Sequence, residues 1–235
     1  MTKKVPQNPI VIEAFPSKGF VSTIAANQMI NELGMEQIGC IESDELPSVT
    51  MVHDSKPLRP MRIYAKGKIV IVFSELIVPL ENIPEFSKVI AKWFTDIKPK
   101  QVILLAGISG VEIEKEHEIL GITTDKSLEK KLKELKVRII EEGMITGISS
   151  DLLLNCIDKG INTVSLMTET DYVPDPLAAA SVVEILNKLL NLSVKTKNLT
   201  ETGKLIEEKL NEIAKQLRRG KEGYKRMEGF SPMYG

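Results

Sequence analysis

Ile69 to Phe73 and Val102 to Ala106 are apolar at every position. Runs of this length with no polar alternation predict strands covered on both faces. Residues 9–15, apolar on both faces, predict a first strand. Residues 35–42, 118–122 and 161–167 are further strand candidates, and residues 46–52 and 61–64 are shorter extended pieces separated by the proline-rich stretch 56–60. Lys66-Gly67-Lys68 predicts a hairpin turn. Between the strands the period changes to that of a helix. Ala26, Met29, Ile30 and Leu33 share a face, and Gly34 marks the stop. Asn82 with Glu85 three residues on is an N-cap signature, after which Phe86, Ile90, Trp93 and Ile97 share a face and Pro99 ends the helix. A short charged helix is predicted over 127–135, and an apolar one from the glycines 143 and 147 to Gly160. Asp175 followed by Pro176 opens a helix with Val182, Ile185, Leu186 and Leu189 on one side. Strands alternating with helices predict an α/β core domain over residues 1–192, a three-layer sandwich around a largely parallel sheet.

After Leu192 the pattern changes. Residues 193–197 are polar and read as a linker. Asn198 with Glu201 is a second N-cap signature. Leu199, Ile206, Leu210, Ile213 and Leu217 follow at three- and four-residue steps once Gly203 is counted. That spacing predicts a C-terminal helix within 193–219, with a short heptad seam suited to packing against another subunit. Residues 220–235 keep no period and read as a flexible arm.

Composition narrows the function classes. The 235 residues carry 31 basic and 32 acidic side chains. That balance offers no bulk field for nucleic acid or an anionic membrane. Aromatic residues are 5% of the chain, so the core is aliphatic. Cys40 and Cys156 lie far apart with no CxxC, which favours two buried free thiols in a reducing cytoplasm. The first seven residues are polar, so no signal peptide is expected, and no apolar run reaches membrane-spanning length.

Candidate chemistry is sparse. Gly107-Ile108-Ser109-Gly110 follows a strand, where α/β proteins often place a site. Val111 stands where G-x-S-x-G needs its last glycine, and no GK[ST] follows. A turn that requires glycine explains the loop. Ser109 would need a base, but His53 beside Asp54 and His117 between Glu116 and Glu118 sit in charged sequence and read as surface residues. Two isolated histidines and two isolated cysteines have no metal-ligand spacing. Acid pairs at 44–45, 141–142 and 207–208 read as solvated faces, and Asp175 as a helix cap. The residues thus point to no catalytic, cofactor-binding or metal-binding group. A small-molecule enzyme of phosphorylase- or hydrolase-like fold, using loops 107–109 and 143–149, is an alternative by analogy of fold alone.

The last residues carry a different chemistry. Met233 is an adaptable apolar plug, Tyr234 a flat ring with a hydroxyl tip, and Gly235 brings a terminal carboxylate. The order resembles the hydrophobic-tyrosine-any-residue tail with which proteasome activators and some assembly chaperones dock between α-subunits of the 20S proteasome. Upstream, Gly143-Met-Ile-Thr-Gly147, Glu169-Thr170 and Pro174-Asp175-Pro176 with Ala178, Ala179 and Ala180 resemble the archaeal proteasome assembly chaperone family. That resemblance spans residues 9–190. It implies an α/β domain used for binding and oligomerisation, no catalytic residues, no cofactor, and ATP-independent action on 20S α-subunits. A close variant is a 20S activator. The implied partners are α-subunits and further copies of the chain, with a paralogue as a further candidate. The implied docking residues are Met233, Tyr234 and Gly235, the carboxylate pairing with a pocket lysine.

Overall fold

A computed structural model of the chain describes residues 4–43, 46–109, 117–199 and 201. In chain order the elements are β1 (Ile10–Ala14), α1 (Val21–Glu32), β2 (Glu36–Cys40), β3 (Met51–His53), β4 (Lys56–Leu58), β5 (Met61–Lys66) and β6 (Ile69–Ser74). They continue with α2 (Ile83–Ile97), β7 (Gln101–Ile108), β8 (Ile119–Thr123), α3 (Lys126–Glu134), β9 (Arg138–Ile139), α4 (Ile148–Asp158), β10 (Thr163–Glu169) and α5 (Pro176–Leu190). The helix expected beyond 201, the arm 220–235 and the residues Met233, Tyr234 and Gly235 lie outside the described residues. So do the acid pairs at 44–45 and 207–208.

The main sheet has the order β2-β5-β6-β1-β7-β10-β8-β9. Its four middle strands, β6, β1, β7 and β10, are mutually parallel. Both flanks turn antiparallel: β5 folds back on β6 through the Lys66–Lys68 hairpin and β2 runs antiparallel to β5, while β8 runs antiparallel to β10. Alternate residues of the middle strands enter different cores. Ile12, Ile71, Phe73, Ile103 and Leu105 pack under α1, α3 and α5. Val11, Val70, Val72, Val102 and Leu104 pack under α2 and α4. This is why the strands read as unbroken apolar runs, and it makes the three layers.

Several local expectations are corrected. The stretch 56–60 does not merely separate strands, because β4 pairs with β3 and Pro57 stands opposite Val52. In so small a ribbon the missing N–H of proline is tolerated. The Asn82 side chain does not cap α2, which is entered instead from a 3-10 turn over Leu80–Asn82. The buried residues of α2 are Phe86, Ser87, Ile90, Ala91 and Phe94, with Trp93 and Ile97 at the flank. The shift arises because α2 also leans on α4, where the Ser87 hydroxyl bonds to the Asp151 carboxylate and Asn155 reaches Ser87. A stripe of large apolar residues does not reveal that small, polar contact side. Cys156 is buried as expected, but Cys40 is exposed at the end of edge strand β2. β2 also carries a bulge between Gln37 and Gly39. Residues 193–197 do not hang free, because Val194 and Leu199 are buried in the core of α1 and α5.

Gly107 lies inside β7, not in a turn after it. Lys18, in the 3-10 turn Lys18–Phe20 that joins β1 to α1, presses its carbonyl onto this glycine. A Cβ on Gly107 would sit 2.0 Å from the Lys18 oxygen. The Gly107→Ala variant is therefore expected to lose at least about 3 kcal/mol of stability through forced displacement of the β1–α1 turn. Gly34→Ala, at φ +56 with nothing within 4 Å, should lose only about 1 kcal/mol. Urea unfolding of the two variants checks the contrast.

Candidate functional site

β1 and β7 are neighbours whose connections diverge. The chain leaves β1 for β2, β5 and β6 on one side of the pair, and leaves β7 for β8, β9 and β10 on the other. The crevice beyond such a point, at the carboxyl ends of the strands, is where open α/β sheets bind ligands. Here the protein's own backbone occupies it. Besides the Lys18 carbonyl contact, the Gly107 N–H donates to Ser17 Oγ at 2.9 Å. Ser22 Oγ donates to the Phe15 carbonyl, so the 2.8 Å contact between the two hydroxyls runs from Ser17 to Ser22. Each donor in this series of hydrogen bonds is spent within the turn or on holding the turn against β7.

Ser109 stands exposed at the end of β7. Its hydroxyl is met by Lys18, whose ammonium donates to it at 3.3 Å and also pairs with Asp171 at 3.5 Å. Neither histidine serves it. His53, read from sequence as a surface residue beside Asp54, instead turns to Glu75, with Nε2 3.0 Å from Oε2. The same carboxylate takes the buried Arg62 guanidinium at 2.6 Å.

His117 is not a surface residue either: its side chain is 9% exposed. Nδ1 donates to the Glu169 carbonyl at 3.3 Å, and Nε2 lies 3.4 Å from Asp175 Oδ2. Asp175 does more than cap. Its Oδ1 accepts from Ala178 N at 2.9 Å, as the cap predicts, while Oδ2 accepts from the Thr170 hydroxyl at 2.6 Å. Its N–H donates to the Gly19 carbonyl at 2.9 Å, tying the β10–α5 loop to the turn that fills the crevice. The knot holds Tyr172, Val173 and Leu177 outward, at 56–65% exposure.

The second expected loop, 143–149, supplies one buried group. Ser149, in the first turn of α4, donates to Glu13 Oε2 at 3.0 Å. Glu13 is fully buried in β1 and was unmarked in the sequence, where it looked like one polar position in an apolar strand. The Phe15 N–H donates to its other oxygen at 3.0 Å. Burial pushes the carboxyl from the ordinary 4.5 up to about 7, against the hydrogen bonds from Phe15, Ser149 and Leu105. Burial also pushes the Cys156 thiol up to about 11, so it stands as an inert core thiol. Among the described residues no three His, Cys, Asp or Glu side chains are grouped to hold a metal, and no helix is long and apolar enough to cross a membrane.

Sheet order and crevice define a doubly wound α/β domain whose switch point is sealed by its own first turn. The chain matches the PAC2 family over residues 11–214 and belongs to that family. It is 36% identical over 211 residues to the uncharacterized protein MJ0106 of Methanocaldococcus jannaschii, covering 89% of this chain and 87% of the relative. Among solved structures it is similar to Pyrococcus furiosus PbaA, described as an archaeal homolog of proteasome-assembly chaperone. That likeness has a TM-score of 0.81 at 34% identity, over 92% of this chain and 96% of PbaA. It is also similar to P. furiosus PbaB, described as an archaeal proteasome activator, with a TM-score of 0.73 at 23% identity, over 90% of this chain and 96% of PbaB. The last likeness is one of fold.

Glu13 gives a pH test. Its folded-state value lies above the unfolded one, so the folded chain holds an extra proton between about 4.5 and about 7. Its contribution is complete below the lower value and is lost as pH rises through the upper one. The loss amounts to about 3 kcal/mol, from about 1.4 kcal/mol per unit. The difference in unfolding free energy between wild type and Glu13→Gln should therefore move by about that amount in favour of the variant from pH 4 to pH 8. Denaturant titrations at several pH values measure it, and a constant difference would contradict the assignment.

Proposed function

We propose that the chain is an assembly chaperone or scaffold of the proteasome that captures 20S α-subunits through Met233, Tyr234 and Gly235, without ATP. The observation that carries this reading is the 34% identity to PbaA across nearly the whole of both chains, combined with a sequence that closes on Met-Tyr-Gly. Capture of a chain end needs a carboxylate, a ring and an apolar plug in that order. The Gly235 carboxylate pairs with a cation in the partner's pocket, a charge-assisted contact. Tyr234 orients in the pocket mouth and Met233 fills its lip. A single tail of three residues binds weakly. Several tails on a homo-oligomer raise the local concentration of the second and later ones, so assembly of the chain with itself belongs to the mechanism.

The sealed crevice supports a binding role over the small-molecule alternative, since the Lys18 carbonyl and Ser17 hydroxyl stand where a ligand would enter. Removal of residues 233–235 is expected to abolish co-purification with archaeal α-rings while leaving the melting temperature and the native mass unchanged. One alanine appended after Gly235 should do the same, because it displaces the carboxylate from the ring. Undiminished capture by both variants would overturn the proposal. Peptidase activity of purified 20S particles, measured with the intact chain, separates a scaffold from an activator: a scaffold leaves it unchanged.

A further inference from the structure

The polar stretch after α5 is held more firmly than its composition suggests. At the end of α5, Asn191 takes a left-handed conformation, and its N–H and that of Leu192 both donate to the Asn187 carbonyl. The Asn187 side chain then grips the returning chain on both sides. Nδ2 donates to the Val194 carbonyl at 2.9 Å, and Oδ1 accepts from the Val194 N–H at 2.9 Å. One residue further on, Gln28 of α1, itself 5% exposed, donates through Nε2 to the Lys195 carbonyl. Val194 and Leu199 are 4% and 2% exposed and sit in the core shared by α1 and α5. The side chains of Ser193, Lys195 and Lys197 point to solvent, so the stretch reads as a linker by composition. Its backbone is nevertheless bound by two amides from two different helices.

Two amides that each serve a foreign backbone do little for the helices they belong to. α1 and α5 already pack on the sheet through Ile24, Met29, Val182 and Leu186. What the amides fix is the position of Leu199, where helix begins again. The apolar spacing from Leu199 to Leu217 predicts a helix of some 20 residues from this point, which would make a lever of about 30 Å. Angular freedom at the base of such a lever spreads its far end over a far larger volume than the few residues of slack in the linker would.

We propose that Asn187 and Gln28 form a root clamp at the base of the predicted C-terminal lever, so that the tail starts from one fixed point on the α1–α5 face. Both are positioning residues: they touch no partner and act through the backbone at Val194 and Lys195. The proposal rests on the tail-docking reading, and it adds that capture depends on where the tail starts as well as on its last three residues. Effective concentration between linked sites falls steeply when the linkage loosens, which is the quantity the clamp controls.

The test uses the full chain in three altered forms. Asn187→Ala with Gln28→Ala opens the clamp. Four Gly-Ser residues inserted after Glu201 leave the clamp intact but free the lever. The third form carries both changes. In the clamp variant, hydrogen exchange at the Val194 amide should accelerate at least a hundredfold and tryptic cleavage after Lys195 and Lys197 at least tenfold, with the melting temperature of the core within a few degrees of wild type. Capture of α-rings should fall about tenfold in the clamp variant and about tenfold with the insertion, and no further when the two are combined, because both remove the same constraint. A synthetic peptide of the last ten residues should displace every form, and the altered forms at lower concentration than the intact chain, because the pocket is the same and only capture is weaker. Wild-type capture by the clamp variant, once its Val194 exchange has accelerated, overturns the clamp's role, and so does a combined loss equal to the product of the separate losses. If intact chain and chain lacking residues 233–235 capture alike, the tail reading itself has failed and the clamp's role falls with it.

Discussion

A carbonyl oxygen resting on a residue without a side chain sets the geometry of one end of this molecule. Lys18 lies over Gly107 so closely that no other residue fits beneath it. The contact holds the first turn against β7, and through the Gly19 carbonyl the same turn receives the Asp175 N–H. Thr170, His117 and the first turn of α5 are then organised around Asp175. One close approach thus links the exits of β1, β7 and β10, the three adjacent strands from which a doubly wound fold would ordinarily build a ligand site. The polar groups are there, but they are engaged with one another.

Much of the architecture could be read from the chain. Ile69 to Phe73 and Val102 to Ala106 announced strands buried on both faces, and α5 was marked at its start by Asp175-Pro176 and along its length by Val182, Ile185, Leu186 and Leu189, all of them buried. What periodicity missed was contact made by small or polar groups. Ser87 bonds to α4, and with the buried Ala91 it shifts the buried side of α2. Asn187 and Gln28 bind backbone, which leaves no mark in a hydrophobic pattern. β9, with two residues, is shorter than any window that could detect it.

The site was less readable for the same reason. His117 looked solvated because Glu116 and Glu118 flank it, but its own partners, Asp175 and the Glu169 carbonyl, lie more than fifty residues away. His53 likewise passes over its neighbour Asp54 for Glu75. Gly107 was recognised as a position that demands glycine, and the reason proved to be a crowded approach within a strand. Glu13 had no sequence signal beyond being a lone acid in an apolar strand. Its full burial beside Ser149 could be learned only from the packing of α4 over β1.

The two outermost strands limit how copies of this domain can meet. β2 ends one side of the sheet with a bulge and with Glu36 and Gln37 turned to water, and β9 ends the other after two residues. Neither rim offers the long, flat run of free amides and carbonyls on which a neighbour's strand could be laid. Among the described residues, the rims of the main sheet are therefore poor places for one copy to continue the sheet of another, and its helices and loops are the surfaces left for contact.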